Sequence, residues 1–211
     1  MRQELIKKMD YTTEDKILKK MKQNRRGKIF FANDFAELGN YKACSKALER
    51  LAKQGEIMRV SRGIYAIPQK SELLGTLTPS FDSVVAAIAK RDKAKIIPTG
   101  LFAENVLGLS TQVPVKAVYL TDGTPRKLMI GKIPLIFKKT TPKNLAAKGK
   151  ISGLAIQALK SIRKDRITDD EVDKIVSLLK KENPQHLAHD IKLVPVWIKE
   201  IMRDAQTNND L

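Results

Sequence analysis

The stretch from Asn40 to Pro68, NYKACSKALERLAKQGEIMRVSRGIYAIP, decides the fold of the N-terminal part of this chain. Its first half places apolar residues at helical spacing, and Asn40 is a residue type that often begins a helix. Its second half contains two short apolar runs joined by the tight turn Ser61-Arg62-Gly63. The sequence therefore predicts a helix over residues 41–54, followed by a β-hairpin over residues 56–68.

The residues before this stretch predict two further helices and a short strand. Thr12 and Asp15 form a capping-box pattern at the start of one helix, which Gly27 is expected to end. Residues 28–31 are short and apolar, as in a strand, and residues 34–38 are typical of a short helix. The order helix, strand, helix, helix, hairpin is that of a winged helix-turn-helix, in which the last helix enters the DNA major groove and the hairpin is the wing.

In such a module, the polar face of the last helix and the hairpin carry the contacts to DNA. We expect residues near the start of the helix to meet base edges, residues further along to meet phosphates, and a hairpin Arg to clamp the backbone or enter the minor groove. The predicted DNA-binding residues are Lys42, Ser45, Lys46, Arg50, Lys53, Arg59 and Arg62. The alternative is that they are solvated charges on a helical packing unit or on a protein–protein module.

Composition agrees with a soluble protein that binds polyanions. The chain has 211 residues, 42% of them hydrophobic, and a formal net charge of +17, which attracts nucleic acid but also occurs in proteins that are merely lysine-rich. Residues 1–70 carry 17 Lys and Arg against eight Asp and Glu. The single cysteine allows no intrachain disulfide, and neither a signal peptide nor an apolar run of membrane-spanning length is seen, so we expect a cytoplasmic protein without membrane contact.

The rest of the chain predicts a second domain, so that residues 1–70 and 71–211 form two domains of an α+β protein. Residues 69–80 are expected to be a linker. Three apolar runs predict a small antiparallel sheet, and the pattern is helical from Asn144 onward. The predicted strands cover residues 115–120, 126–130 and 133–138.

No catalytic or metal-binding constellation stands out in the second domain. His186 and His189 lie on one helix face but lack two further ligands, so we expect no metal, no cofactor and no enzyme activity. Residues 138–166 carry nine Lys and Arg against one acidic residue, and this segment is either a solvated face, an added contact to the DNA backbone or a docking site for an acidic partner. The second basic patch within it comprises Lys138, Lys139, Lys143, Lys148 and Lys150.

Three segments resemble the AbiEi-like antitoxins of bacterial toxin–antitoxin systems. Arg59 and the following residues VSRGIYAIP are similar to that family's wing pattern R-x-x-G-x-Y-x-x-P, with Gly63 one residue later than the pattern has it. Residues 97–109, IPTGLFAENVLGL, resemble the family's P-x-G-x-x-A-x-x-x-L-G-L stretch, and residues 118–123, VYLTDG, resemble the strand and turn that follow. The resemblance covers about residues 10–180.

The resemblance implies an antitoxin that also represses its own promoter. Its winged helix would bind inverted or direct repeats of double-stranded DNA there, and its second domain would counteract a nucleotidyltransferase-like toxin, with or without a stable complex. Two other functions stay open. One is a plain winged-helix transcriptional regulator whose second domain senses a ligand or dimerises, and the other is a DNA-processing enzyme that the winged helix targets.

Overall fold

The computed structural model describes residues 11–73, 75–112 and 114–207. Helices account for about half of the chain, and short strands lie between them. The α+β class predicted from the sequence is therefore confirmed.

The chain divides into two compact units. The first runs to Ile88 and includes Leu128–Lys132, and the second consists of Ala89–Lys127 and the chain from Ile133 onward. The first unit thus extends beyond residue 70, where the sequence analysis placed the domain boundary.

The first unit begins with three helical segments and three strands in the order that the sequence predicts. They are α1 (Thr13–Lys22), β1 (Ile29–Phe31), a 3₁₀ helix (Ala32–Leu38), α2 (Tyr41–Lys53), β2 (Met58–Ser61) and β3 (Ile64–Ala66). The prediction that the first helix continues to Gly27 is wrong. The side-chain amide of Asn24 donates to the Lys20 carbonyl at 2.9 Å, just past the end of α1, and Gly27 adopts a φ of 80° in the turn toward β1.

The three strands form an antiparallel sheet in which β3 lies between β1 and β2. Ala66 at the end of β3 faces Ile29 on one side and Met58 on the other. The register of β2 shifts between Arg59 and Ser61. Such a bulge bends the strand and increases the local twist of a hairpin.

One apolar core joins these helices to the sheet. Each fully buried aliphatic or aromatic side chain contributes about 1.5–3 kcal/mol relative to exposure, so the elements stabilise one another. Cys44 belongs to this core and has no exposed surface. The largest core side chains are Ile17, Met21, Phe30, Phe35, Leu48, Leu51, Ile57 and Tyr65.

The segment predicted to be a linker contains a second hairpin. β4 (Gln69–Ser71) pairs with β5 (Gly75–Leu77), so the linker prediction is wrong for most of residues 69–80. Both strands are short, polar and largely exposed, and such strands lack the alternation of apolar and polar residues that marks a half-buried strand in a sequence. The helix α3 (Phe81–Asp92) follows.

A four-stranded sheet has the order β6-β7-β9-β8. The predicted antiparallel sheet is wrong, because β7 runs parallel to β9 while it runs antiparallel to β6. The strand beside β7 is β9 rather than β8, its successor in the sequence, and apolar alternation specifies strands without specifying their neighbours. The elements are β6 (Ile96–Pro98), α4 (Leu101–Val106), β7 (Ala117–Thr121), β8 (Arg126–Ile130) and β9 (Ile133–Lys139).

The remaining chain is helical and encloses a second apolar core. Leu159, Ile175, Leu179 and Met202 are fully buried there. Among the described residues, no helix has both the length and the apolar character needed to cross a bilayer. The elements are 3₁₀ helices at Pro142–Leu145 and Ile191–Leu193 and the helices α5 (Lys150–Ile162), α6 (Asp169–Leu179), α7 (Pro184–Asp190) and α8 (Val196–Thr207).

Candidate nucleic-acid interface

The helix α2 is fixed to the first unit by one face. Its N-terminus is capped by Asn40, whose side-chain oxygen accepts a hydrogen bond of 2.9 Å from the Ala43 N–H. Its apolar stripe is no more than 3% exposed and consists of Cys44, Ala47, Leu48 and Leu51. Because these residues recur at helical spacing, the opposite face of α2 is turned to solvent.

That solvent face carries the predicted base-reading residues. Lys42 and Lys46 are exposed one turn apart, and Ser45 is half-buried beside them. The sequence from Tyr41 to Leu48 contains no Asp or Glu. The N-terminal half of α2 therefore presents positive charge and hydrogen-bond donors to solvent.

Tyr41 belongs to the same end of the helix, and the sequence analysis missed it. Its side chain is 64% exposed at the first position of α2. The available signal was an aromatic residue directly after the capping Asn40, outside the apolar stripe. An exposed ring at this position adds an apolar contact surface beside Lys42.

The two predicted phosphate-contacting residues of α2 differ in their surroundings. Lys53 is exposed in the last turn of the helix. Arg50 is exposed but forms an ion pair with Glu14 of α1, with 2.9 Å between Arg50 Nη1 and Glu14 Oε1. Arg50 thus links α1 to α2, and a phosphate would have to compete with Glu14 for it.

The β2–β3 hairpin presents two exposed arginines. Arg62 lies in the turn beside Gly63, whose φ of 71° favours glycine. Arg59 faces Tyr65 across the hairpin. Burial raises the pKa of the Tyr65 hydroxyl, and the Arg59 charge opposes this only in part. Tyr65 is therefore neutral near pH 7 and does not itself neutralise the Arg59 charge.

The second basic patch is spread over three elements of the second unit. Lys138 and Lys139 end β9, Lys143 lies in a 3₁₀ helix, and Lys148 and Lys150 flank Gly149 at the start of α5. All five side chains are exposed. Lys148 and Lys150 line one cavity, and the other three lysines are not part of its lining.

Two lysines of this region have defined surroundings. Lys139 donates to the carbonyl of Asp122, so its ammonium group is held over the turn that follows β7. Partial burial lowers the pKa of Lys160, and the nearby charge of Lys143 lowers it further. The charge of Lys143 thus acts on Lys160, an interaction that the sequence did not indicate.

A buried carboxylate in α7 connects a serine and a histidine, but the arrangement is not that of a nucleophile and its base. Asp190 is fully buried and accepts hydrogen bonds from Ser152 Oγ at 2.5 Å and from His189 Nδ1 at 2.8 Å. Both groups bind the carboxylate rather than each other, whereas an activated nucleophile contacts its base directly. In the described part of the chain, no group of three or more His, Cys, Asp or Glu could hold a metal ion.

Comparison with known proteins defines the relationship of this chain without assigning an activity. No curated protein matched the sequence. A family model described as a family of unknown function, DUF6088, matches residues 16–187, which span both units. Because the match covers most of the sequence, the chain belongs to the DUF6088 family.

Proposed function

We propose that the first unit binds double-stranded DNA as a winged helix, with α2 in the major groove and the β2–β3 hairpin as the wing. On this proposal the chain is a transcriptional regulator that represses its own promoter. The observation that carries the proposal is a helix held by one apolar face, with basic residues on its free face and on the hairpin next to it.

The dimensions of α2 suit the major groove. Its 13 residues give a length of about 20 Å at 1.5 Å per residue. The major groove is about 12 Å wide and admits one α-helix. Lys42, Ser45 and Lys46 share one face near its N-terminus, and Lys and Ser donate hydrogen bonds to base-edge acceptors such as those of guanine.

The other exposed cations suit the sugar–phosphate backbone. Lys53 lies at the far end of α2, and Arg59 and Arg62 lie on the hairpin. Phosphate contacts position a protein on DNA, and base contacts specify the sequence. The arrangement therefore supports separate roles, with Lys42 and Lys46 for specificity and the hairpin for affinity.

The test compares binding of the full chain to two duplexes by fluorescence anisotropy. One duplex comes from the region upstream of its own gene, and the other is a scrambled sequence of equal length and composition. We expect tighter binding to the upstream duplex. Lys46→Ala should weaken that binding by about 1–3 kcal/mol, or roughly 5- to 150-fold, and leave the scrambled duplex little changed.

The matched control is Lys180→Ala, which removes an equal charge from an exposed residue of the second unit. Equal weakening on both duplexes would make Lys46 a phosphate contact. An effect of Lys46→Ala no larger than that of the control would contradict the assignment of α2 as the recognition helix. Equal affinity of the unchanged protein for both duplexes would contradict the regulator proposal itself.

The antitoxin activity implied by the resemblance to AbiEi-like proteins stays a prediction. The residues that would counteract a nucleotidyltransferase-like toxin are not indicated by the geometry of the second unit. DNA binding and neutralisation of a toxin are separable, so the duplex experiment tests only the first of them.

A further inference from the structure

A cavity of about 400 Å³ in the second unit has a basic lining. It lies where the loop after the 3₁₀ helix Pro142–Leu145 enters α5. Lys95, Lys148, Lys150 and His186 contribute to its lining. Its volume is within the range of about 300–1,000 Å³ that is common for small-molecule sites.

The loop that carries two of these lysines is held by a buried carboxylate. Asp190 accepts hydrogen bonds from the Lys148 N–H at 2.8 Å and from the Gly149 N–H at 2.9 Å. Gly149 has no space for a side chain, because a Cβ there would lie 2.5 Å from Glu182 Oε2 and still closer to Ser152 Oγ. Lys148 and Lys150 therefore extend from a fixed backbone.

Lys95 is positioned on the same cavity by two contacts. Its ammonium group donates to the Ala147 carbonyl at 2.8 Å, and its N–H donates to Asp122 Oδ1 at 2.8 Å. The three lysines thus come from two segments more than fifty residues apart in sequence. The fold thus brings both segments to one cavity.

Two carboxylates near the cavity accept hydrogen bonds from backbone N–H groups rather than from the lysine side chains. Glu182 accepts hydrogen bonds from the N–H groups of Ile151 at 2.7 Å and Ser152 at 3.1 Å, and Asp190 is fully buried. Neither carboxylate belongs to the lining of the cavity. Since these carboxylates satisfy the N–H groups at the start of α5, an anion in the cavity would be bound by the lysine side chains.

We propose that this cavity binds a small phosphorylated ligand. Its phosphate is held by the ammonium groups of Lys148, Lys150 and Lys95, and its apolar part lies against Ile97 and Leu145. Lysine ammonium groups are established binders of phosphate, and bringing three of them to one cavity leaves a repulsion that a phosphate dianion relieves. The proposal is independent of DNA binding, because its residues belong to the second unit and α2 to the first.

The test is an NMR titration of the ¹⁵N-labelled full chain with adenosine monophosphate, inorganic phosphate and adenosine. Gly149 and Gly153 contribute to the cavity, and their amide signals report on it directly. We expect saturable shifts of both signals with adenosine monophosphate, and smaller shifts with phosphate. The variant Lys148→Gln/Lys150→Gln should weaken this binding at least about tenfold, because it removes two charge-assisted contacts.

The matched control is Lys164→Gln/Arg166→Gln, which removes the same charge beyond the other end of α5 and should bind as the unchanged protein does. Signals from α6 and α8 show whether each variant is folded, and Lys150→Glu provides a second variant. An equal loss of affinity for adenosine monophosphate in the variant and in the control would overturn the proposal. Shifts with adenosine as large as those with adenosine monophosphate would also overturn it. Shifts of Gly149 and Gly153 that appear only with duplex DNA would also overturn it, since the phosphate would then belong to nucleic acid.

Discussion

Replacing Asp190 by Asn should destabilise the second unit. The carboxylate has no exposed surface and accepts four hydrogen bonds. Oδ1 accepts from the Lys148 N–H and from His189 Nδ1, and Oδ2 accepts from the Gly149 N–H and from Ser152 Oγ. It therefore ties α7 to the loop before α5 and to the first turn of that helix.

The size of the effect follows from what an amide can replace. The Asn side chain keeps one of the two oxygens. Its NH₂ group replaces the other oxygen and therefore faces the two donors that bound that oxygen. The Ser152 hydroxyl can rotate and accept from that group, but a backbone N–H cannot, so one buried donor at Lys148 or Gly149 loses its partner. An unsatisfied buried donor costs about 1–3 kcal/mol, and the remaining bonds lose their charge assistance, so the total is about 2–4 kcal/mol.

Trp197 provides the measurement, because it is the only tryptophan and packs against the core of the second unit. Its fluorescence in urea should report unfolding of that unit. With an m-value of about 2 kcal/mol/M, the midpoint of Asp190→Asn should fall by about 1–2 M. The control Asp173→Asn, an exposed acid of α6, should change the free energy of unfolding by no more than about 0.5 kcal/mol.

The same comparison predicts a pH dependence with a definite sign. Burial opposes ionisation of Asp190, but the hydrogen bonds from His189, Ser152 and two backbone N–H groups outweigh it and hold its pKa below the ordinary value. Because the pKa of Asp190 is lower in the folded than in the unfolded protein, its ionised carboxylate stabilises the fold. This stabilisation is complete above the unfolded-state pKa of about 3.9 and is lost as the pH falls through the folded-state pKa.

The difference in free energy of unfolding between the unchanged protein and Asp190→Asn should therefore be largest at pH 7 and should decrease below about pH 4. A difference in free energy of unfolding under about 0.5 kcal/mol at pH 7, with an unchanged m-value, would refute this reasoning. Such a small effect is typical of an exposed residue rather than of a buried carboxylate with four hydrogen bonds. A difference that increases on acidification would refute the sign of the pKa shift.

Two further predictions concern the proposed and implied functions. Arg62→Ala should weaken binding to both duplexes and reduce the slope of log K against log salt by about 0.9, the value for one phosphate contact, whereas the control Lys180→Ala should not. An unchanged slope would show that the hairpin is not a wing. Expression of the neighbouring gene should arrest growth, and co-expression of this chain should restore it, as measured by colony counts. A harmless neighbour would remove the main support for the antitoxin role.

The sequence predicted the order of elements from α1 to β3 because their signals are local. Asn40 caps α2, and Cys44 and Leu48 mark its buried face within a few residues of the cap. The capping box of Thr168 and Glu171 at the start of α6 is a local signal of the same kind. Helix caps and apolar stripes depend on neighbours three to seven positions away, so one sequence reveals them.

Pairings between distant segments were not predictable in the same way. The parallel pairing of β7 with β9 depends on which strands meet, and nothing in their composition specifies that. The β4–β5 hairpin is local, but its strands lack the apolar alternation that marks a strand in a sequence. The cavity shows the same limit. Lys148 and Lys150 were identified as part of a basic segment, but Lys95 and His186 reach them only through the fold.

Residues 167–211 carry nine Asp and Glu against six Lys and Arg, in contrast to the basic residues 138–166. The acidic C-terminal region contributes Glu182 and Asp190 to backbone N–H groups at the start of α5 rather than to basic side chains. Of the nine Lys and Arg in residues 138–166, only Arg166 forms an ion pair within the described chain, at 4.0 Å from its neighbour Asp165. The carboxylates thus stabilise the backbone, and Lys148 and Lys150 form no ion pair within the described chain, whereas Lys139 and Lys160 donate to oxygens of Asp122 and Asn144. The positive charge of Lys148 and Lys150 is what the proposed phosphorylated ligand would need at the cavity.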